Sequence, residues 1–279
     1  MTMDKIIIEN YEVVALHGVN PEEKINPQRF LISCELETDF SLASKSDDLD
    51  KTASYSAVCK VIKSFVGENS FDLIETIACR LAKKILLTFS NLTAVKVTVK
   101  KPDAPMKGVF DYVGVSTELA WHRVYLGLGS NMGDRHGYLD LAVNMLEGDD
   151  NFRGLRESTR IESEPYGGVA DMVFVNSVIE AQTLYTPRQL LDVVHSIEKA
   201  GDRVRKERWG NRTLDLDILF YDDIVLDEPD LSIPHPDTHN RDFVLNPLRE
   251  LNEYLMHPFL RKRVKDLNPE KLTFPTEEK

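Results

Sequence analysis

The ten residues RTLDLDILFY (212–221) restrict the fold more than any other stretch of this 279-residue chain. Leu214, Leu216, Ile218 and Phe220 alternate with period two, the pattern of a β-strand with one face turned into a core. The opposite face opens with two acids, Asp215 and Asp217. Residues i and i+2 of a strand share a face, with Cα atoms about 6.6 Å apart. Two bare carboxylates that close repel by roughly 2–3 kcal/mol at an effective dielectric near 20. Either the strand edge lies in water, or a divalent cation sits between the acids. Oxygen-only ligands suit Mg2+, which takes one or two carboxylates and fills its shell with water and substrate phosphates.

The residues just upstream carry the opposite charge. RVRKERWGNR (203–212) sets Arg203, Arg205, Lys206, Arg208 and Arg212 against one acid, Glu207, a local net of +4 in a chain whose net charge is −12. Such a run reads as a solvated face or as a site for a small anion. Arginines hold phosphates by bidentate hydrogen bonds. Acids for a metal, cations for phosphate and an aromatic, Trp209, among the arginines together suggest nucleotide-dependent phosphoryl transfer. The sequence has no G-x-x-x-x-G-K-[ST], and GLGSNMG (127–133) fails G-x-G-x-x-G because its glycines stand at 127, 129 and 133. Any phosphate site is therefore built from side chains.

Residues 1–120 hold 14 basic and 17 acidic residues, and residues 121–279 hold 20 and 29, so neither half offers a polyanion-binding surface. No apolar run approaches the roughly 18 residues of a membrane span. The start, MTMDKIIIENYE, turns acidic too soon for a secretory signal. Cys34, Cys59 and Cys79 show no metal-binding spacing and read as free thiols filling a core in a reducing cytoplasm.

The order of elements divides the chain. Residues 1–120 read ββααββ: two strands, helical spacing at Val58, Val61, Ile62 and Phe65 and again at Ile74, Ile77, Leu81 and Ile85, then two more strands. One sheet and one layer of two helices follow, an α+β unit. Residues 121–279 read β, a turn-rich loop, α (137–147), β (152–163), β (173–183), α (187–200), the basic loop, β (213–221) and a looser tail. That βαββαβ order belongs to a ferredoxin-like α/β sandwich. Thr186, Pro187 and Gln189 supply the N-cap, first position and capping box of the 187–200 helix.

In the second half YLGLGSNMGDR, FVNSVIEAQT, RVRKERWGNRTLDLDIL and IPHPDTHNRDFVLNPL occur in that order over about 155 residues. They resemble 6-hydroxymethyl-7,8-dihydropterin pyrophosphokinase, a ferredoxin-like family that moves a pyrophosphoryl group from ATP to a pterin hydroxymethyl and releases AMP. The resemblance implies two Mg2+ ions on Asp215 and Asp217. It implies phosphate contacts from Arg203, Arg212 and Arg241, with Arg205, Arg208 and Trp209 on a closing loop. Glu198 and His235 would help hold ATP. The pterin would lie between Phe174 and Phe243, its edge read by Asn176 and by the backbone from Ser163 to Tyr166. Departures from the family pattern fall at Ser163, Glu164, Gly168, Asn211 and Asp237, and are expected to affect loop conformation.

In the first half LHGVNPEE, KSDDL, TASYSAV, FDLIET and VKKPDAPMKGVFDYVGV recur in order across residues 3–120. Singly, each has a plain reading: Asp72 and Glu75 as a capping box, Tyr55 as core, Lys100 and Lys101 as a solvated edge. Together they resemble dihydroneopterin aldolase, a T-fold (tunnelling-fold) family whose ββααββ subunits close into rings, often two stacked. Ring closure would cover the edges of a four-stranded sheet. The resemblance implies that Glu75 and the Ile74 backbone anchor the pterin and that Lys101 and Tyr55 carry protons. Glu23 would contact the side chain being cleaved, with Ala53 near the ring from a neighbouring subunit. No cofactor is implied for this half. Ala15 and Leu16 stand where aromatic residues are common.

The product of the first reaction is the acceptor of the second. The expectation is a cytoplasmic bifunctional folate-biosynthesis enzyme with domains at 1–120 and 121–279. It would act on pterins and ATP, bind no nucleic acid or membrane, and form a tetramer or octamer through its aldolase rings. An epimerase or oxygenase first half, or a pterin-binding scaffold, are the alternatives.

Overall fold

The computed structural model describes residues 4–166, 170–201 and 211–269, and the chain divides into two compact units, Met1–Trp121 and His122–Lys279. Arg203, Arg205, Arg208, Trp209 and Gly168 lie outside the described residues.

The first unit runs β1 (Asp4–Ala15), β2 (Gln28–Thr38), α1 (Ser41–Ser46), α2 (Tyr55–Glu68), α3 (Ile74–Thr88), β3 (Ala94–Lys101) and β4 (Val113–Ala120). Its sheet is antiparallel in the order β1-β2-β3-β4. Alternation in β2 buries Phe30, Ile32, Cys34 and Leu36 beneath the apolar stripes of α2 (Val58, Ile62, Val66) and α3 (Ile77, Leu81, Ile85). On the other face Lys5 pairs with Glu35 and Glu37 at 3.1 and 3.3 Å, across partly exposed side chains. The short α1 was not expected. Nor is the Asp72–Glu75 capping box made, because Leu73 is the N-cap of α3 and no side chain caps it. Of the cysteines only Cys34 is buried; Cys59 is half-buried and Cys79 exposed, so the core-filling expectation holds at one position of three.

The second unit runs β5 (His122–Ser130), α4 (Arg135–Glu147), β6 (Phe152–Glu157), β7 (Ile161–Ser163), β8 (Phe174–Thr183), α5 (Pro187–Ala200), β9 (Asp215–Tyr221), β10 (Leu226–Glu228), β11 (Leu231–Ile233) and α6 (Asp242–Asn252), with a final hairpin of β12 (Met256–His257) and β13 (Lys262–Arg263). The main sheet has the order β6-β8-β5-β9, with β7 also on β8, all antiparallel. This is the ferredoxin-like order. The expected 152–163 strand is interrupted at 158–160, where Glu250 accepts from the Thr159 N–H at 3.0 Å. The helix expected at 137 begins at Arg135, because Asp134 caps it by accepting from the Gly137 N–H at 3.0 Å. The Thr186–Gln189 capping box is present.

Leucine-rich faces of α4 and α5 cover one side of this sheet: Leu139, Leu146, Leu190 and Val194 pack on Leu126, Leu128, Leu216 and Ile218. The tail expected to be loose covers the other side. Val244, Leu245 and Leu248 of α6, with Val264 and Leu267, pack on Tyr125, Val178, Leu219 and Phe220. His257 sits edge-on to Phe220 at 5.4 Å and to His239 at 6.0 Å. Its Nδ1 accepts from the Leu260 N–H at 3.2 Å. Burial first, then the neighbouring His239, push its pKa down to about 4.

The unfolded ring takes a proton below its ordinary pKa of about 6.5, whereas the folded ring resists until about 4. Stability therefore falls as pH drops through that window. Relative to His257→Gln, the native chain should lose about 2 kcal/mol more between pH 7 and pH 5 in urea titrations. Equal losses would show that His257 is not held neutral.

Candidate functional sites

In the second unit one row across the sheet organises the site. Gly129 of β5 lies opposite Asn176 of β8 on one side and opposite Asp215 of β9 on the other, and Gly127 lies opposite Asp217. A β-carbon on Gly129 would stand 3.2 Å from the Asn176 Oδ1, 3.7 Å from the Phe174 ring and 3.9 Å from the Asp215 Cβ. A bare backbone here lets side chains of three strands converge. They line a cavity of about 780 Å³ at the ends of these strands.

One part of the cavity wall is aromatic and amide. Phe174, Asn176, Ser163, Tyr166 and Phe243 all line it. Asn176 Nδ2 donates to the Ser163 hydroxyl at 2.9 Å, and Tyr166 meets Phe243 edge-on at 6.1 Å. Arg241 crosses to the acidic part. Its guanidinium lies 5.0 Å over Tyr166 and 5.8 Å over Phe243, 3.1 Å from Asp237 and 3.8 Å from Asp217.

The other part is the acid pair. Arg212 is 2.5 Å from Asp215, and His235 is 3.8 Å from Asp217. Burial and the charge on Asp215 push the Asp217 carboxyl up, against the pull of His235, Arg241 and Arg212. Between the two acids along the strand, the Leu216 N–H donates to the buried Glu198 at 3.1 Å, which ties the edge strand to α5. Among the described residues no group of three or more His, Cys, Asp or Glu could hold a metal, so the protein itself offers two carboxylates. Two oxygen ligands beside an open cavity fit Mg2+ completed by water and phosphate.

In the first unit Lys101, at the end of β3, meets Glu23 of the Pro21–Lys24 turn in an ion pair only 9 and 8% exposed. Lys101 Nζ also donates to the His17 carbonyl at 3.4 Å and lies 5.6 Å over the Phe30 ring. Burial raises the Glu23 carboxyl, but hydrogen bonds from Lys101, the Asn20 N–H and Gln28 outweigh it and hold its pKa below the usual range. Tyr55, at the start of α2, is 67% exposed, and Glu75, in the first turn of α3, is exposed as well. Ala53 is buried and Ile74 half-buried. Among the described residues neither the Tyr55 nor the Glu75 side chain forms a hydrogen bond or ion pair, so one copy does not join them to Lys101 and Glu23.

Residues 6–118 match the family described as dihydroneopterin aldolase, and residues 125–253 match 7,8-dihydro-6-hydroxymethylpterin-pyrophosphokinase. Over 54% of its length the chain is 39% identical to 94% of a 2-amino-4-hydroxy-6-hydroxymethyldihydropteridine pyrophosphokinase from Aquifex aeolicus. This chain belongs to both families. It is also 31% identical, over 92% of its length, to 43% of the folic acid synthesis protein FOL1 of Dictyostelium discoideum, so it spans less than half of that relative. Among solved structures, E. coli dihydroneopterin aldolase in complex with neopterin is 31% identical over 42% of this chain and 98% of its own, with a TM-score of 0.39.

The pyrophosphokinase cavity also contains residues that sequence reasoning missed. Leu191, Val194 and His195 of α5, with Leu231 and Ser232 of β11, form an arm beside the edge strand β9. Only the helical spacing of Leu191, Val194 and His195 with Glu198 could have found them, since all four lie on one face of α5. In the aldolase half His17 was named only as part of a motif. It is buried, its Nε2 contacts the Val66 carbonyl at 2.9 Å, and its Nδ1 accepts from the Phe71 N–H at 3.0 Å.

Gly18 has φ +148°, and a β-carbon there would fall within 2.2–2.4 Å of the Glu23 carboxylate. Gly18→Ala should displace Glu23 from Lys101 and lower the unfolding free energy by about 2 kcal/mol or more in urea denaturation. An unchanged midpoint would mean that the pair relocates without cost.

Proposed function

We propose that the chain is a bifunctional enzyme of folate biosynthesis: dihydroneopterin aldolase in residues 1–120, and an ATP-dependent pyrophosphokinase acting on 6-hydroxymethyl-7,8-dihydropterin in residues 121–279. The observation that carries the reading is the Asn176–Gly129–Asp215 row, which sets a flat, amide-edged subsite beside an acid pair flanked by arginines.

For the second reaction, Phe174 and Phe243 clamp the pterin and Asn176 reads its edge through both amide donors and acceptor. Ser163 orients Asn176, and the backbone to Tyr166 adds edge contacts. ATP lies along Glu198, His235 and the Leu191–His195 arm, with its phosphates toward Arg212 and Arg241. Asp215 and Asp217 would hold two Mg2+ ions, which would supply charge neutralisation for the phosphates. The hydroxymethyl oxygen attacks the β-phosphorus and gives up its proton to solvent, the bond from that phosphorus to the α–β bridging oxygen breaks, and AMP leaves with that oxygen. Arg212 and Arg241 hold the charge on the transferring group. The family resemblance adds phosphate-binding roles for Arg203, Arg205, Arg208 and Trp209, which lie outside the described residues.

For the first reaction, Glu75 and the Ile74 backbone hold the pterin ring, and Glu23 contacts the trihydroxypropyl chain. A proton leaves the hydroxyl on C2′, the C1′–C2′ bond breaks with its electrons entering the ring imine, and a proton returns to C1′. Lys101 and Tyr55 carry these protons. Glycolaldehyde and 6-hydroxymethyl-7,8-dihydropterin result. The exposure of Tyr55 and Glu75 supports a site completed by a second copy, near Ala53. So do the unpaired edge strands β1 and β4 and the exposed Ile25, Leu42, Leu49 and Val109.

One experiment separates the activities. Asp217→Ala should lower Mg2+-dependent AMP release by about a thousandfold or more while pterin binding and glycolaldehyde release persist. Lys101→Ala should cut glycolaldehyde release by about a hundredfold or more and leave AMP release from added 6-hydroxymethyl-7,8-dihydropterin unchanged. Unchanged AMP release in Asp217→Ala would reject the metal role, and no glycolaldehyde from the native chain would reject the aldolase. Light scattering should give four or eight copies; a monomer with full aldolase activity would reject the shared site.

A further inference from the structure

Asn131 follows β5 directly, is 0% exposed, and uses its side chain in three directions. Its Oδ1 accepts from the Arg212 N–H at 2.7 Å. Its Nδ2 donates to the Met172 carbonyl at 3.1 Å and to the Asn211 Oδ1 at 2.7 Å. Its own N–H donates to the Arg212 carbonyl at 3.1 Å, so the backbone of Arg212 is held on both sides. Asn211 carries the link onward, because its Nδ2 donates to the Asp171 Oδ1 at 2.7 Å.

The two ends of this chain of bonds lie at different parts of the cavity. Asp171 and Met172 lead directly into Phe174, on the aromatic wall, and the neighbouring Val173 carbonyl is pinned by Arg135 at 3.0 Å. Arg212 lies against Asp215, in the acid pair. Asn131 cannot follow a shift of either end without leaving a buried donor or acceptor unmatched. Neither Asn131 nor Asn211 is among the residues that line the cavity.

We propose that Asn131 and Asn211 are positioning residues that couple the two subsites, so that ordering residues 171–174 around the pterin also orders Arg212 for the nucleotide, and the reverse. The inference rests on the pyrophosphokinase reading. Such coupling is reciprocal: each ligand tightens the other by the same factor.

The test is calorimetric titration of the full chain with 6-hydroxymethyl-7,8-dihydropterin, with and without Mg2+ and α,β-methylene-ATP. The native chain should bind the pterin about fivefold or more tightly with the nucleotide present. Asn211→Ala and Asp171→Ala, both at exposed positions, should each lower that ratio by cutting the branch through Asn211, while the direct contact of Asn131 with the Met172 carbonyl remains. The double variant should lose no more than either single one, because both cut the same link. Nucleotide affinity alone should stay unchanged in both single variants, and the melting temperature should stay unchanged in Asp171→Ala, which leaves every partner of the buried Asn131 in place; a general loss of structure would not allow this. A native ratio of one, or a ratio that survives both substitutions, overturns the coupling while AMP release by the native chain leaves the enzymatic reading standing. Absence of both pterin binding and AMP release in the native chain overturns the two together.

Discussion

The second unit depends on an absence of side-chain atoms at the centre of its sheet. The order β6-β8-β5-β9 makes β5 the strand through which β8 and β9 must communicate. With glycine at 127 and 129, the side chains of its two neighbours meet above bare backbone. A side chain at 129 would divide the cavity between Asn176 and Asp215. The same strand remains rigid because its alternate residues, Val124, Leu126 and Leu128, are buried under α4 and α5. Site and core are thus opposite faces of one strand, and the hydrophobic face holds the polar face in register.

The two units solve the problem of desolvated charge in opposite ways. In the first unit the cation and the acid are both internal. Glu23 stays ionised because three donors compensate its burial, and Lys101 has a carboxylate, a carbonyl and an aromatic face around it. In the second unit two like charges share a face, and Arg212, His235 and Arg241 only partly relieve them. A paired site is suited to moving protons within itself. A repelling site is suited to taking charge from outside, which is the property a phosphate-bearing, metal-bearing substrate requires.

How much of this was legible in the sequence follows the range of each interaction. Period-two alternation marked β2, and the Thr186–Gln189 capping box marked the start of α5, because both are local. In β9 the expected single apolar face of Leu214, Leu216, Ile218 and Phe220 ends at Ile218, because the register shift against Tyr125 and Leu126 turns Phe220 into the core under α6. The helix α6 was not legible: Pro247 lies inside it, and its apolar face is defined only by the sheet it covers. The break at 158–160 depends on Glu250, some ninety residues away. The acid pair was visible because its two members are neighbours on one strand. The Leu191–His195 arm was not, since it faces the cavity only after α5 has packed along the β9 edge. Likewise Lys101 and Glu23 stand far apart in sequence, and nothing local in either segment announces that they meet.

Asp237 shows how a single departure can alter a site without changing its chemistry. Family resemblance leads one to expect a basic residue there, and the chain instead places a carboxylate 3.1 Å from Arg241. Arg241 is therefore shared between Asp237 and Asp217, and two aromatic rings flank its guanidinium. In the proposed reaction an arriving phosphate would have to compete with Asp237 for that guanidinium, which would oppose affinity. The same carboxylate holds the long side chain in one place before the phosphate arrives, which reduces the ordering cost of binding. The two effects act on the same residue with opposite sign. The second is felt only if the phosphate can be met without breaking the Asp237 contact. Arginine permits this because its guanidinium carries five donors, enough to serve a carboxylate on one edge and a phosphate on another. A lysine at 241, with its charge at a single point, would have to leave one partner to reach the other.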